Sequence, residues 1–180
     1  TRKLFDLARK YNVSKTLVMS TYFVYGASPY NPSLLDETTP LKASELTMDL
    51  VDSVELENLS TIYLYKHPEL NITVLRPCNI AGPGVRNTFS MLLSEKRSPV
   101  LWGFSPLMQF IHIDDMRDAI CTAFEKNIPG VYNVAPDDYI GFQDAIKASG
   151  SRPIQIPSIP PSLTEAIAKF LNWKSFPVYL

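Results

Sequence analysis

Apolar positions along the chain switch between two periods, and the switches mark alternating helices and strands. Leu4, Phe5, Leu7 and Ala8 place an apolar stripe on a first helix that ends near Tyr11-Asn12. Thr16 to Ser20 (TLVMS) is a short apolar run without alternation, as expected of a strand buried on both faces. From Ala27 to Ser44 the chain is rich in Pro, Ser, Asn and Thr and is expected to be a long loop. Leu46 to His67 is expected to be a long helix, with Leu50, Val51, Val54, Leu59, Ile62 and Tyr63 turned inward. Asn71 to Arg76 (NITVLR) is a second buried strand, broken afterwards by Gly82-Pro83-Gly84.

Shorter elements follow. Phe89 to Lys96 fits a helix, Val100 to Trp102 a short strand, and Gln109 to Ile113 another. Asp114 is expected to cap a helix running to about Lys126, with Asp115 beside it in the favourable first turn. Val131 to Ala135 reads as strand and Phe142 to Ser149 as helix. Pro153 to Pro161 is extended, and Leu163 to Asn172 has the spacing of a last amphipathic helix. Strands alternating with helices imply an α/β chain with a parallel sheet covered on both faces.

Composition narrows the function classes. The chain has 180 residues, 46% of them hydrophobic, enough for a real core. A formal charge of −1 with interspersed signs leaves no electrostatic footprint for nucleic acid or an anionic membrane. The densest basic run, Glu95-Lys96-Arg97, is a solvated helix end. Cys78 and Cys121 have neither metal-ligand spacing nor a disulfide framework, which fits a reducing compartment. No apolar run approaches membrane length, so a soluble, cytoplasmic location is expected. The first residue is Thr1 and the helical pattern starts at Arg2, as in the interior of a longer chain.

Two motifs carry the chemistry: Ser20-Thr21-Tyr22-Phe23-Val24-Tyr25-Gly26 and Leu75-Arg76-Pro77-Cys78-Asn79. With Asp36-Glu37-Thr38-Thr39-Pro40 and Phe110-Ile111-His112-Ile113-Asp114-Asp115, they resemble the extended short-chain dehydrogenase/reductases, the NAD-dependent epimerases and dehydratases. The resemblance implies the later portion of a doubly wound, Rossmann-type sheet with part of a small α/β substrate lobe. Residues 1–82 and 108–136 would belong to the former, 83–107 and 137–180 to the latter. It also implies roles: Thr21 at the reacting hydroxyl or carbonyl, Ser20, Pro77 and Cys78 beside the cofactor, and Tyr22, Asn79 and Asn87 toward the substrate. A hydroxyl suits the first role because it donates and accepts a hydrogen bond at once. Thr21 could equally just end a strand and start a turn, and Asn79 could head the Gly82-Pro83-Gly84 break. His112 falls in a structural piece and is expected in the core. No metal-ligand pattern accompanies it.

Three departures from the family pattern matter. None of the seven glycines forms a G-x-G-x-x-G loop, so NAD or NADP binding would need an upstream glycine-rich segment to complete the site. The family's helix between the two motifs carries Y-x-x-x-K. Counted from Glu57 those positions are Asp49 and Ser53; counted from Pro40-Leu41-Lys42-Ala43-Ser44 they are Leu46 and Leu50. The pair works because a Lys cation one helical turn away lowers the Tyr pKa from about 10. Asp49 is a poor base for an alcohol, Ser53 carries no charge, and strand alternation would turn Tyr22 away. Lastly, Met108 stands where many sugar-nucleotide members have a diphosphate-binding Arg, with Arg86 and Arg97 the nearby cations.

Three classes stay open. One is an NAD(P)-dependent epimerase, dehydratase or reductase with a small-molecule substrate, a sugar nucleotide being one such class. The others are a pseudoenzyme that binds without turnover and a structural or assembly subunit. The family also implies a possible homodimer through helix 46–67, whose Leu56 and Leu64 lie beyond the expected core face. Trp173, Phe176, Val178 and Tyr179 are expected to pack on further chain or on a partner.

Overall fold

The computed structural model describes residues 1–26, 30–32, 34–42 and 50–157. The expected last helix, the apolar tail, and positions Leu46 and Asp49 lie outside the described residues. Contacts divide the chain into two compact units, Thr1–Cys78 with Ile111–Ala135, and Asn79–Phe110 with Pro136–Leu180.

The first unit is built on a parallel three-stranded sheet in the order β1 (Thr16–Met19), β2 (Ile72–Pro77), β7 (Gly130–Val134). Thr16 pairs with Ile72 and Met19 with Leu75, while Arg76 pairs with Asn133 across the other ladder. Every residue of β2 is buried, the pattern of a central parallel strand. Helices α1 (Arg2–Lys10), α2 (Val51–Lys66) and α4 (Ile113–Lys126) complete this unit. Phe5, Val18, Tyr63, Leu70, Ile72 and Val74 form its core, with Phe5 stacked on Tyr63 at 4.9 Å between ring centroids. Asn12, Asn71 and Asn127 take left-handed φ angles of 54°, 42° and 50°, a backbone state that Asn tolerates better than most residues.

Helix faces differ from the sequence expectation. In α2 the buried positions are Val54, Glu57, Ser60 and Tyr63, and Leu56, Leu59 and Leu64 pack against the core. Ile62 is left 46% exposed, because the inward stripe runs through small and polar residues rather than through the most apolar ones. In α1, Phe5 and Ala8 pack inward while Leu4 and Leu7 remain exposed.

The second unit contains β3 (Asn79–Ala81), α3 (Thr88–Ser94), β4 (Arg97–Leu101), β5 (Leu107–Met108), β8 (Ile140–Gly141), α5 (Phe142–Ala148) and β9 (Arg152–Ile156). Strand β9 pairs in parallel with β4, so the proline-containing stretch after Ser151 forms part of a sheet. Strands β5 and β8 pair antiparallel. Phe89, Val100, Met108, Phe142 and Ile146 make the core, with Phe89 and Phe142 edge to face. The remaining strand, β6 (Phe110–His112), leads into α4.

His112 is an exposed helix cap, not a core residue. Its Nδ1 accepts from the Asp114 amide at 3.2 Å, so the cap falls two residues before Asp114, which lies in the first turn.

Ile72→Ala should lower unfolding free energy by about 2–5 kcal/mol, against about 0.5–1.5 kcal/mol for Ile72→Val. Urea denaturation read by circular dichroism checks both.

Candidate functional site

Strand β1 delivers Ser20 and Thr21 to the C-terminal end of the sheet, where open α/β folds bind ligands. The Ser20 amide continues the ladder to the Leu75 carbonyl at 2.8 Å. Thr21 stays extended, and its hydroxyl oxygen accepts from the Phe23 amide at 3.3 Å, capping a 3-10 turn over Tyr22–Tyr25. Tyr22 therefore begins a turn rather than continuing a strand, and alternation does not set its direction. Gly26 ends the turn at φ 70°, a conformation suited to a residue without Cβ.

Beneath this turn lies a network that the sequence did not announce as one. Glu57 is fully buried in α2, and its carboxylate accepts from the Ser20 hydroxyl and from the Arg76 guanidinium through Nε and Nη2. Arg76 Nη1 donates to the Tyr25 hydroxyl at 2.7 Å and to the Glu37 carbonyl at 3.2 Å. The Tyr25 hydroxyl donates to Asn133 Oδ1 at 2.7 Å. Asn133 then reaches the loop: its backbone amide donates to Glu37 Oε1 at 2.8 Å and its Nδ2 to the Leu35 carbonyl at 3.0 Å. Burial pushes the Tyr25 phenol above its ordinary pKa against the opposing pull of Arg76. Asp36 is held below the usual carboxylate range, chiefly by the Thr38 hydroxyl. The available signal was a charged residue in an otherwise apolar strand, since a buried Arg needs a partner.

Of the other expected site residues, Pro77 ends β2 and is buried. Cys78 is buried too, its amide donates to the Val134 carbonyl at 3.0 Å, and burial pushes its thiol up to about 11. In the second unit, Asn79 is buried and donates to the Gln109 carbonyl at 3.1 Å. Asn87 caps α3 by accepting from the Ser90 amide at 2.8 Å, and donates to the Ile80 carbonyl at 2.7 Å. Both asparagine side chains thus already hold backbone. Met108 is a core residue of its unit, while Arg86 and Arg97 are exposed.

Ser53, one turn before Glu57 on α2, is half-buried and supplies no charge. A Tyr and a Lys at the i, i+4 spacing do occur at Tyr11 and Lys15. They lie at the exposed end of α1 and beyond it, with Lys15 Nζ donating to the Phe124 carbonyl at 2.7 Å. Among the described residues, no group of three His, Cys, Asp or Glu side chains is placed to hold a metal ion. Nor is any helix among them long and apolar enough to cross a membrane.

Comparison with known proteins gives this architecture its class. The model of the NAD dependent epimerase/dehydratase family matches residues 1–135, and the chain belongs to that family. Uncharacterized proteins of Mycobacterium bovis and Mycobacterium tuberculosis are 26% identical to it over 146 residues. The match takes in 81% of this chain and 39% of each relative, so the chain spans well under half of the curated relatives' length. Among solved structures, an NAD-dependent NDP-hexosamine 5,6-dehydratase of tunicamycin biosynthesis superposes with a TM-score of 0.72 at 22% identity. That match covers 88% of this chain and 55% of the dehydratase. A dTDP-glucose 4,6-dehydratase from Bacillus anthracis, in complex with NAD, gives 0.69 at 18% identity, covering 97% and 60%. A UDP-glucuronic acid 4-epimerase from Bacillus cereus gives 0.70 at 24% identity, covering 88% and 53%. These likenesses establish the fold as Rossmann-type α/β.

Three outcomes are expected from the site geometry. Glu57→Gln, which leaves Arg76 buried without its counter-charge, should cost about 3–5 kcal/mol. Replacing both residues (Glu57→Leu with Arg76→Met) should cost less than the sum of the two single changes. Denaturant melts of the wild type, Glu57→Gln, the single changes Glu57→Leu and Arg76→Met, and the double variant check both. With burial pushing the Cys78 thiol up to about 11, little of it is thiolate at pH 8. A thiol reagent should therefore label exposed Cys121 promptly and Cys78 only on unfolding, as peptide mass spectrometry would show.

Proposed function

We propose that this chain supplies the later strands and part of the substrate lobe of a nicotinamide-dependent protein of the epimerase, dehydratase or reductase type. NAD or NADP would bind once an upstream glycine-rich segment joins the sheet. The substrate would present a hydroxyl or carbonyl to Thr21, and a sugar nucleotide is the class its structural neighbours suggest. The observation that carries this reading is the placing of Thr21 at the C-terminal end of β1, between Ser20, tied to Glu57, and Tyr25, tied to Arg76. Residues at both ends of the turn are thereby fixed, which favours a hydroxyl kept in one orientation.

Ser53 supports a second reading, a pseudoenzyme that binds the nucleotide without turnover. Its hydroxyl cannot replace the Lys charge that would lower a neighbouring phenol's pKa. We infer a cytoplasmic location from the two free cysteines, Cys78 and Cys121, which fit a reducing compartment. A second copy would dock along α2, where Ile62 and Tyr65 are exposed.

The test is titration of the full-length protein with NAD(H) and NADP(H), followed by nicotinamide fluorescence or thermal shift. Saturable binding is expected for one of the two. No binding to either sinks both readings and leaves a structural or assembly subunit. If alcohols or sugar nucleotides are turned over, Thr21→Ala should slow that turnover tenfold or more. Binding without turnover would support the pseudoenzyme.

A further inference from the structure

Asn133 holds more of the site than its place on β7 suggests. It is the ladder partner of Arg76, and both stand next to last in their strands. The hydroxyl of Tyr25 bridges them, accepting from Arg76 Nη1 and donating to Asn133 Oδ1, each at 2.7 Å. Because a hydroxyl donates to one end of the Asn133 amide and a carbonyl accepts from the other, the amide has only one satisfying orientation. Two further hydrogen bonds of Asn133 go to one segment, Leu35–Glu37. Nδ2 donates to the Leu35 carbonyl, and the backbone amide, on the side of β7 away from β2, donates to the Glu37 carboxylate. Arg76 adds a bond to the Glu37 carbonyl. The segment is itself stiffened by Asp36, which accepts from the Thr38 amide at 2.9 Å and from both Thr38 and Thr39 hydroxyls.

We propose that Asn133 is a positioning residue for the Thr21 turn. Its side-chain oxygen fixes Tyr25 at the far end of the turn, and its two donors strap Leu35–Glu37 across the ends of β2 and β7. It acts through Tyr25 and the strap and needs no contact with a ligand. Its bearing on catalysis rests on the proposed nicotinamide site. The positioning itself does not.

The two halves of the side chain allow the roles to be separated. Asn133→Asp keeps an acceptor for Tyr25 but sets a carboxylate oxygen against the Leu35 carbonyl. Asn133→Ala removes both bonds. Hydrogen exchange by mass spectrometry on the full-length protein would follow peptides covering residues 21–26, 34–39 and 142–148. In Asn133→Ala both the turn and the strap should exchange at least tenfold faster, with α5 unchanged. In Asn133→Asp the strap alone should quicken, and the turn should keep its protection. Should Asn133→Ala fail to fold, Tyr25→Phe cuts the same link from the other side and should quicken the turn while the strap stays slow. Unchanged exchange in the turn, or an equal rise in α5, would overturn the proposal. A wild-type protein that binds no nucleotide would remove the catalytic consequence and leave the exchange result to decide the positioning.

Discussion

The buried pair of Glu57 and Arg76 is the constraint from which the rest of the site follows. Neither side chain is appreciably exposed, and an isolated charge at such a depth would be very costly. The pair is tolerable because its hydrogen-bonding capacity is used: Glu57 takes Ser20 and Arg76, and Arg76 takes Tyr25 and Glu37. Each partner sits on a different piece of the first unit, so satisfying one carboxylate and one guanidinium fixes β1, β2, α2, the turn after β1 and the loop beyond it. Buried ion pairs add little net stability compared with apolar residues of the same shape. We expect this one to contribute register, because its groups are satisfied only when these five pieces meet.

The location of the network bears on the proposed site. It lies at the carboxyl ends of parallel strands, where the chain leaves the sheet and backbone groups lose their ladder partners. There Thr21 caps the 3-10 turn instead of extending β1, and Asn133 closes the outer side of β7 with a carboxylate from the loop. The second unit gathers its own apolar cluster and buries Ser98 and Ser151, hydrogen-bonded to each other, as well as Asn79. Met108 belongs to the apolar cluster, where an uncharged side chain fits.

Much of the fold was legible in the chain. The β-branched run Ile72 to Val74 gave β2, and the four motif segments gave the family. What escaped were features that depend on partners distant in sequence. Glu57 served as a spacing marker in α2, and its burial against Arg76 and Ser20 has no local signature. Helical period put Ile62 on the core face and Leu64 beyond it, yet tertiary packing exposes the first and half-buries the second against the core. The cap at His112 was misplaced because an imidazole nitrogen can accept an amide bond just as the aspartate two residues later can. For the candidate site, Thr21 was named from its motif, whereas the residues that brace its turn, Tyr25 and Asn133, meet across 108 residues of chain.

A crystal structure of the full-length protein with NADH bound tests the central claim most directly. The account predicts the nicotinamide ring at the carboxyl end of β1, with the Thr21 hydroxyl within hydrogen-bond reach of the space facing its C4 and with the Ser20–Glu57–Arg76 contacts intact. A ring bound elsewhere, or Thr21 turned away from it, would contradict the account.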